Sequence, residues 1–208
     1  MMRARRLVSE GLGTSLLLAI VIGSGIMGER LAGGNVAIAL LANTLATGTG
    51  LAALILMFGT LSGAHFNPVV TLSLAWQKNL PAVDIIPYIA VQVIGAFVGV
   101  AAVHLMFGEP VFFASEQVRT GAAQWWSEFV ATFGLLGVII SCSRSRPTAT
   151  PYAVAAYITS AYWFTASTSF ANPAVTLART ASNTFVGIHP IDAPAFIIAQ
   201  LLGAAAAT

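Results

Sequence analysis

Charge is scarce in this sequence. Asp, Glu, Lys and Arg together make up 8% of its 208 residues, against 57% for the hydrophobic types, whereas a soluble domain carries about 25% charged residues. Such a chain cannot keep its whole surface in water, which excludes an ordinary soluble enzyme and points to a bilayer as its solvent. Cysteine is scarcer still. Cys142 stands alone, so neither an internal disulfide nor a thiolate metal cluster is available, and it reads as a small residue at the end of a span. No His, Cys or carboxylate group has metal-ligand spacing, and no metal or cofactor is expected. No run alternates basic and aromatic residues along a phosphate backbone, so the net charge of +2 implies no nucleic-acid partner.

What the chain has in abundance is uninterrupted apolar length. Nothing ionisable at neutral pH lies in 11–28, and only His65 does in 31–77. Tracts of this length cross roughly 30 Å of hydrocarbon. Full spans are expected near 7–27, 36–58, 85–107, 126–141 and 152–167, with a sixth from about 191 that is short at Thr208. Two further pieces, 67–76 and 172–180, are about 10 residues each, which as helix is about 15 Å and half a membrane. These read as re-entrant half-helices. The fold expected is therefore all-α: six transmembrane helices plus two half-helices in one domain, 1–208.

The basic residues orient it. A secretory signal peptide at the N-terminus is disfavoured by Glu10 within the apolar run and by the lack of a clean cleavage site. A cytoplasmic N-terminus puts Arg3, Arg5, Arg6, Lys78, Arg144 and Arg146 inside and leaves Arg30, Arg119 and Arg179 outside, as the positive-inside rule requires. Both termini then lie in the cytoplasm, and a bacterial inner membrane fits helical spans.

The chain also repeats itself. Glu10-Gly-Leu-Gly-Thr14 matches Glu128-Phe-Val-Ala-Thr132, Asn67-Pro-Val-Val-Thr-Leu72 matches Asn172-Pro-Ala-Val-Thr-Leu177, and Asp84, Gln92, Gly95 and Ala96 recur as Asp192, Gln200, Gly203 and Ala204. The separations are similar and the order is the same. A first repeat over 1–108 and a second over 121–208 each carry three spans and one half-helix. An odd span number makes the second enter from the opposite side, so the half-helices meet near the midplane.

Helix-end chemistry says what the two Asn-Pro pairs do there. Pro68 and Pro173 suit the first helical position, and Asn67 and Asn172 become the caps. With each carbonyl oxygen spent on helix N–H groups, the amide NH2 is left as a fixed donor toward the space between the halves. Each half-helix N-terminus adds about half a positive charge, which disfavours cations and protons and leaves neutral hydrogen-bonding solutes unpenalised.

The runs Ser62-Gly-Ala-His-Phe-Asn-Pro-Val-Val-Thr71 and Ser169-Phe-Ala-Asn-Pro-Ala-Val-Thr176 resemble the two signature loops of aquaporins, with Glu10, Glu128, Gln92 and Gln200 where that family carries buried glutamates and glutamines. The resemblance covers essentially the whole chain. It implies a passive channel with a pore in each protomer of a homotetramer, for small neutral solutes. Val69 stands where alanine completes the first Asn-Pro-Ala, and Val175 follows Asn172-Pro173-Ala174 where the family places its selectivity arginine. By the family's spacing the other filter positions fall on Thr47, Ser160 and Ser169. All four are small, which implies a ring wide enough for solutes larger than water. The stretch from Ala161 to Arg179 is similar to a bacterial aquaporin subgroup associated with arsenic resistance, which implies neutral metalloid acids such as arsenous acid, comparable in shape with glycerol. A water- or glycerol-selective facilitator is the alternative.

Several residues have two readings. Arg179, one helical turn beyond Val175 and on roughly the same face, is either a displaced filter cation or an arginine at the outer interface. His65 lines the inner pore or bonds within its loop. Glu10 and Glu128 invite a proton relay, but their recurrence at equivalent places favours binding of the adjacent irregular loops. A secondary transporter also uses inverted repeats, yet no coupling-ion site accompanies the paired glutamates. A membrane enzyme would need a nucleophile with an oriented base. Ser62 and His65 lie close in sequence with no third orienting carboxylate.

Overall fold

The computed structural model describes residues 2–208. Among these residues eight α-helices follow one another: α1 (Met2–Leu31), α2 (Val36–Ser62), α3 (Pro68–Trp76), α4 (Ile85–Phe107), α5 (Ala122–Ser145), α6 (Thr150–Phe164), α7 (Pro173–Arg179) and α8 (Ala193–Ala207). Local chemistry sets the ends. Asn35 caps α2 through its side chain, accepting from the Ala37 and Ile38 N–H groups, and Gly63 at φ 92° ends it, a left-handed stop that glycine adopts without strain. Helices α3 and α7, with 9 and 7 residues, are about 14 and 10 Å long and fall far short of a span. Helix α6 stops at Phe164, earlier than the expected 167, because an irregular stretch leads from it to Asn172.

Two similar three-helix units make the wall. Helix α1 packs on α2 and α4, α5 packs on α6 and α8, and the units join through α2 and α6, while α3 and α7 both lie against α4 or α8 and touch each other. Matched glycines bring the long helices of both units into close backbone contact. A β-carbon on Gly95 would overlap the Gly11 carbonyl, and one on Gly203 would overlap the Phe129 carbonyl, so backbone meets backbone at equivalent points of both units. Large apolar side chains such as Met57, Ile86, Ile94, Leu105 and Leu202 stand exposed on the outside, a surface suited to lipid rather than water.

Charges gather at the two ends. At one, Arg3 pairs with Asp84 at 2.7 Å and Arg144 donates to Gln77 at 2.9 Å. The Thr208 hydroxyl lies 2.8 Å from that of Ser73 at the end of α3. Both chain ends thus share a side with the α3–α4 connection. At the other end Arg30 pairs with Glu109 at 2.7 Å and the Arg119 N–H donates to Asp192 at 2.8 Å.

Candidate functional site

The segments that precede α3 and α7 have matched, irregular backbones. Ala64 and Phe66, three and one residues before Asn67, lie at φ 50° and 49°, and Ser169 and Ala171, in the same places before Asn172, lie at φ 51° and 47°. Left-handed conformations cost non-glycine residues on the order of 1–3 kcal/mol each, so something must hold these loops. Two fully buried carboxylates do. Glu10 accepts from the Ser62 hydroxyl (2.6 Å), the His65 and Phe66 N–H groups (2.9 and 2.8 Å) and Gln92 Nε2 (2.8 Å). Glu128 accepts from the Phe170 and Ala171 N–H groups (both 2.8 Å) and Gln200 Nε2 (2.6 Å). The glutamines also donate to Thr71 and Thr176, each at 2.9 Å, whose hydroxyls donate to the Asn67 and Asn172 carbonyls.

The two asparagines face each other across the molecule. Asn67 Oδ1 accepts from the Val69 N–H at 3.0 Å, and Asn172 Oδ1 accepts from the Ala174 and Val175 N–H groups at 3.0 and 3.3 Å. Their amide nitrogens cross over: Asn67 Nδ2 donates to the Ala171 carbonyl and Asn172 Nδ2 to the Phe66 carbonyl, both at 2.8 Å. One N–H of each amide is therefore spent on the opposite loop, where the sequence reading left both free, and the second remains for the lumen. Pro68 and Pro173 occupy first helical turns, and Val69 and Ala174 are fully buried behind them.

A cavity runs past this crossing. Its wall includes Asn67, Val70, Leu74, Leu135 and Ile139 toward the end that holds the chain termini, and Thr47, Tyr162, Ser169, Val175 and Arg179 toward the other. Thr47, Ser169 and Val175, three of the positions the resemblance implies for a filter, line this one cavity. Ser160 does not. Its side chain is exposed on the outer face and donates to the Tyr157 carbonyl at 2.8 Å. Helix α6 presents Thr150, Val154, Ile158 and Tyr162 to the cavity, a four-residue period that leaves position 160 on the opposite face. Tyr162 lines the cavity where Ser160 does not, its hydroxyl donating to Thr47 Oγ1 at 3.4 Å, so this part of the wall is not made only of small residues.

Arg179 is only 2% exposed. Its Nε donates to the Val186 carbonyl, and its guanidinium lies 3.3 Å from the centre of the Phe170 ring. It belongs to the cavity wall and not to a lipid-facing surface. His65 lies on the cavity wall, and its Nδ1 lies 3.1 Å from the hydroxyl of Thr71 in α3.

The family model for major intrinsic proteins matches residues 1–161. Among curated relatives, aquaglyceroporin AqpS of Rhizobium meliloti is 55% identical over 203 residues, 98% of this chain and 87% of that protein. Aquaporin NIP3-1 of Oryza sativa is 30% identical over 139 residues, 65% of this chain and 43% of the relative. The X-ray structure of the aquaglyceroporin from Plasmodium falciparum superposes with a TM-score of 0.73 over 98% of this chain and 93% of its own, at 22% identity.

Proposed function

Because this chain belongs to the major intrinsic protein family, we propose that its cavity is the conduit of an aquaglyceroporin-like channel passing water, glycerol-sized polyols and neutral metalloid acids such as arsenous acid. Membership makes it a multi-pass membrane channel for small neutral solutes and not an enzyme. The finer reading rests on one observation. Val175 occupies the cavity wall directly after Asn172-Pro173-Ala174, leaving an apolar side chain where a filter arginine would narrow the lumen.

A solute entering there exchanges water for the hydroxyls of Thr47, Tyr162 and Ser169 and then for the free amide N–H of Asn67 and Asn172, while its carbon or metalloid face slides along Val175 and Leu51. Cations meet the positive ends of α3 and α7 and the displaced guanidinium of Arg179. In this reading the repeats 1–108 and 121–208 each contribute one capped half-helix, four copies assemble as a tetramer, and the protein resides in a bacterial inner membrane with both termini cytoplasmic.

Tyr162 and Arg179 favour a second reading, a narrower facilitator for water or glycerol that excludes metalloid acids. Stopped-flow light scattering on proteoliposomes separates them. With wild type and Val175→Arg compared for water, glycerol and arsenous acid, the first reading expects wild type to pass all three and the arginine variant to keep water only. Wild type that passes glycerol but no arsenous acid supports the second.

A further inference from the structure

At the end of the cavity remote from the chain termini, Arg179 lies on the wall, Arg119 sits behind it on the far side of the Phe185–Gly187 carbonyls, and no carboxylate of the described residues pairs with either. Among the described residues the ion pairs are Arg3–Asp84, Arg6–Asp84 and Arg30–Glu109, none of which involves Arg119 or Arg179. These two share one anchor instead. Arg119 donates to the Phe185 carbonyl at 3.3 Å and the Gly187 carbonyl at 2.7 Å, Arg179 takes the Val186 carbonyl between them, and both guanidiniums lie against the Phe170 ring, Arg119 at 5.3 Å from its centre. The neighbouring carboxylates are already engaged: Asp192 accepts the Arg119 backbone N–H, and Glu128 accepts the Phe170 and Ala171 N–H groups and Gln200.

Two side chains at this end keep donors that no protein acceptor takes up. Arg179 spends one of its five N–H donors on Val186, and the others find no acceptor in the protein although the residue is buried. The Ser169 hydroxyl, buried on the same cavity wall, makes no hydrogen bond either. A planar guanidinium with free N–H groups matches a carboxylate in shape and charge, and a buried charge without a counterion is costly until one arrives.

We propose that this end of the cavity binds one small carboxylate or similarly sized planar oxyanion, held by Arg179 and Ser169 with Arg119 supplying the second positive charge, and that the seated anion obstructs neutral solutes. The anion goes no further, because beyond the crossing the wall is mostly apolar (Leu74, Leu135, Ile139 and Val154), with donors only on neutral groups such as the Thr150 hydroxyl and no arginine or lysine to hold a charge. The inference rests on the reading of the cavity as a conduit.

Formate is the probe, and neutral formamide of nearly the same shape is its control. In the purified tetramer, 13C-formate resonances should broaden saturably, formamide should not compete, Arg179→Gln should abolish the broadening and Arg119→Gln should weaken binding about tenfold. Should Arg179→Gln fail to fold, Ser169→Ala, which removes an unpartnered hydroxyl, should still weaken binding severalfold. In proteoliposomes, external formate, balanced with gluconate, should reduce glycerol flux with the same order of potency across variants. The idea is overturned by no formate binding, by binding that formamide matches, by binding untouched in the variants, or by binding that leaves flux intact. Glycerol flux without formate tests the conduit by itself, so the two readings fail separately.

Discussion

Replacing Glu10 by glutamine changes one atom and sets a structural role against a proton relay. The carboxylate faces four donors, of which the Ser62 hydroxyl and the Gln92 amide can turn around, whereas the His65 and Phe66 N–H groups cannot, and one of these sits on each oxygen. Whichever way the new amide is placed, its NH2 confronts one of them. A buried backbone N–H without an acceptor costs about 1–3 kcal/mol, and exchanging charge-assisted bonds for neutral ones at the other oxygen adds about 1 kcal/mol. Glu10→Gln should therefore destabilise by about 2–4 kcal/mol, with the left-handed loop around Ala64 and Phe66 giving way first. Glu128→Gln should cost a similar amount, because Phe170 and Ala171 repeat the arrangement. Combined, the two should depart from additivity by about 0.5–3 kcal/mol, since Asn67 and Asn172 bond each loop to the other. Unfolding in detergent, measured beside proton permeability in proteoliposomes, gives the answer. A Glu10→Gln protein within about 0.5 kcal/mol of wild type but with altered proton conductance would refute the reasoning and restore the relay.

Other perturbations test separate parts of the site. Gly203→Ala, whose β-carbon would overlap the Phe129 carbonyl, should force α5 and α8 apart at a cost of about 1–3 kcal/mol, and Gly95→Ala should do the same for α1 and α4; thermal melting in detergent reads both. Tyr162→Ala should raise glycerol flux relative to water flux, while Ser160→Ala, on the outer face, should leave that ratio alone in the same stopped-flow assay. Asn172→Ala removes the cap of α7 and one crossing bond, and should cost at least the ~1 kcal/mol of a lost cap together with most solute flux.

The features the sequence displays best are those with local causes. Asn-Pro at 67–68 and 172–173 marks the starts of α3 and α7 because capping and proline geometry act within three residues. The pairing of Glu10 with the loop after Ser62 was readable from its recurrence at Glu128. Rotation of α6 was not. The family's spacing that points to Ser160 spans Thr165–Thr168, where the chain is irregular and Thr168 is left-handed at φ 61°, so residue spacing no longer tracks helix face. A usable signal lay within the helix, where Val154, Ile158 and Tyr162 keep a four-residue period. The place of Arg179 depends on how residues 180–192 fold back to offer the Val186 carbonyl, and the crossing of the asparagine amides requires both halves at once, so neither follows from a single segment.

That crossing has the form of a symmetric dimer's contact. Asn67 reaches the residue before Asn172, and Asn172 reaches the residue before Asn67, which is the i-to-j, j-to-i reciprocity of an isologous interface written into one polypeptide. A half-length ancestor pairing with an inverted copy of itself would rebuild the same centre. Within one polypeptide, unlike in such a dimer, the two mouths need not be alike. One end carries Arg179, Tyr162 and Val175 and the other Leu74 and Ile139, while the contact that each half completes for the other stays symmetric.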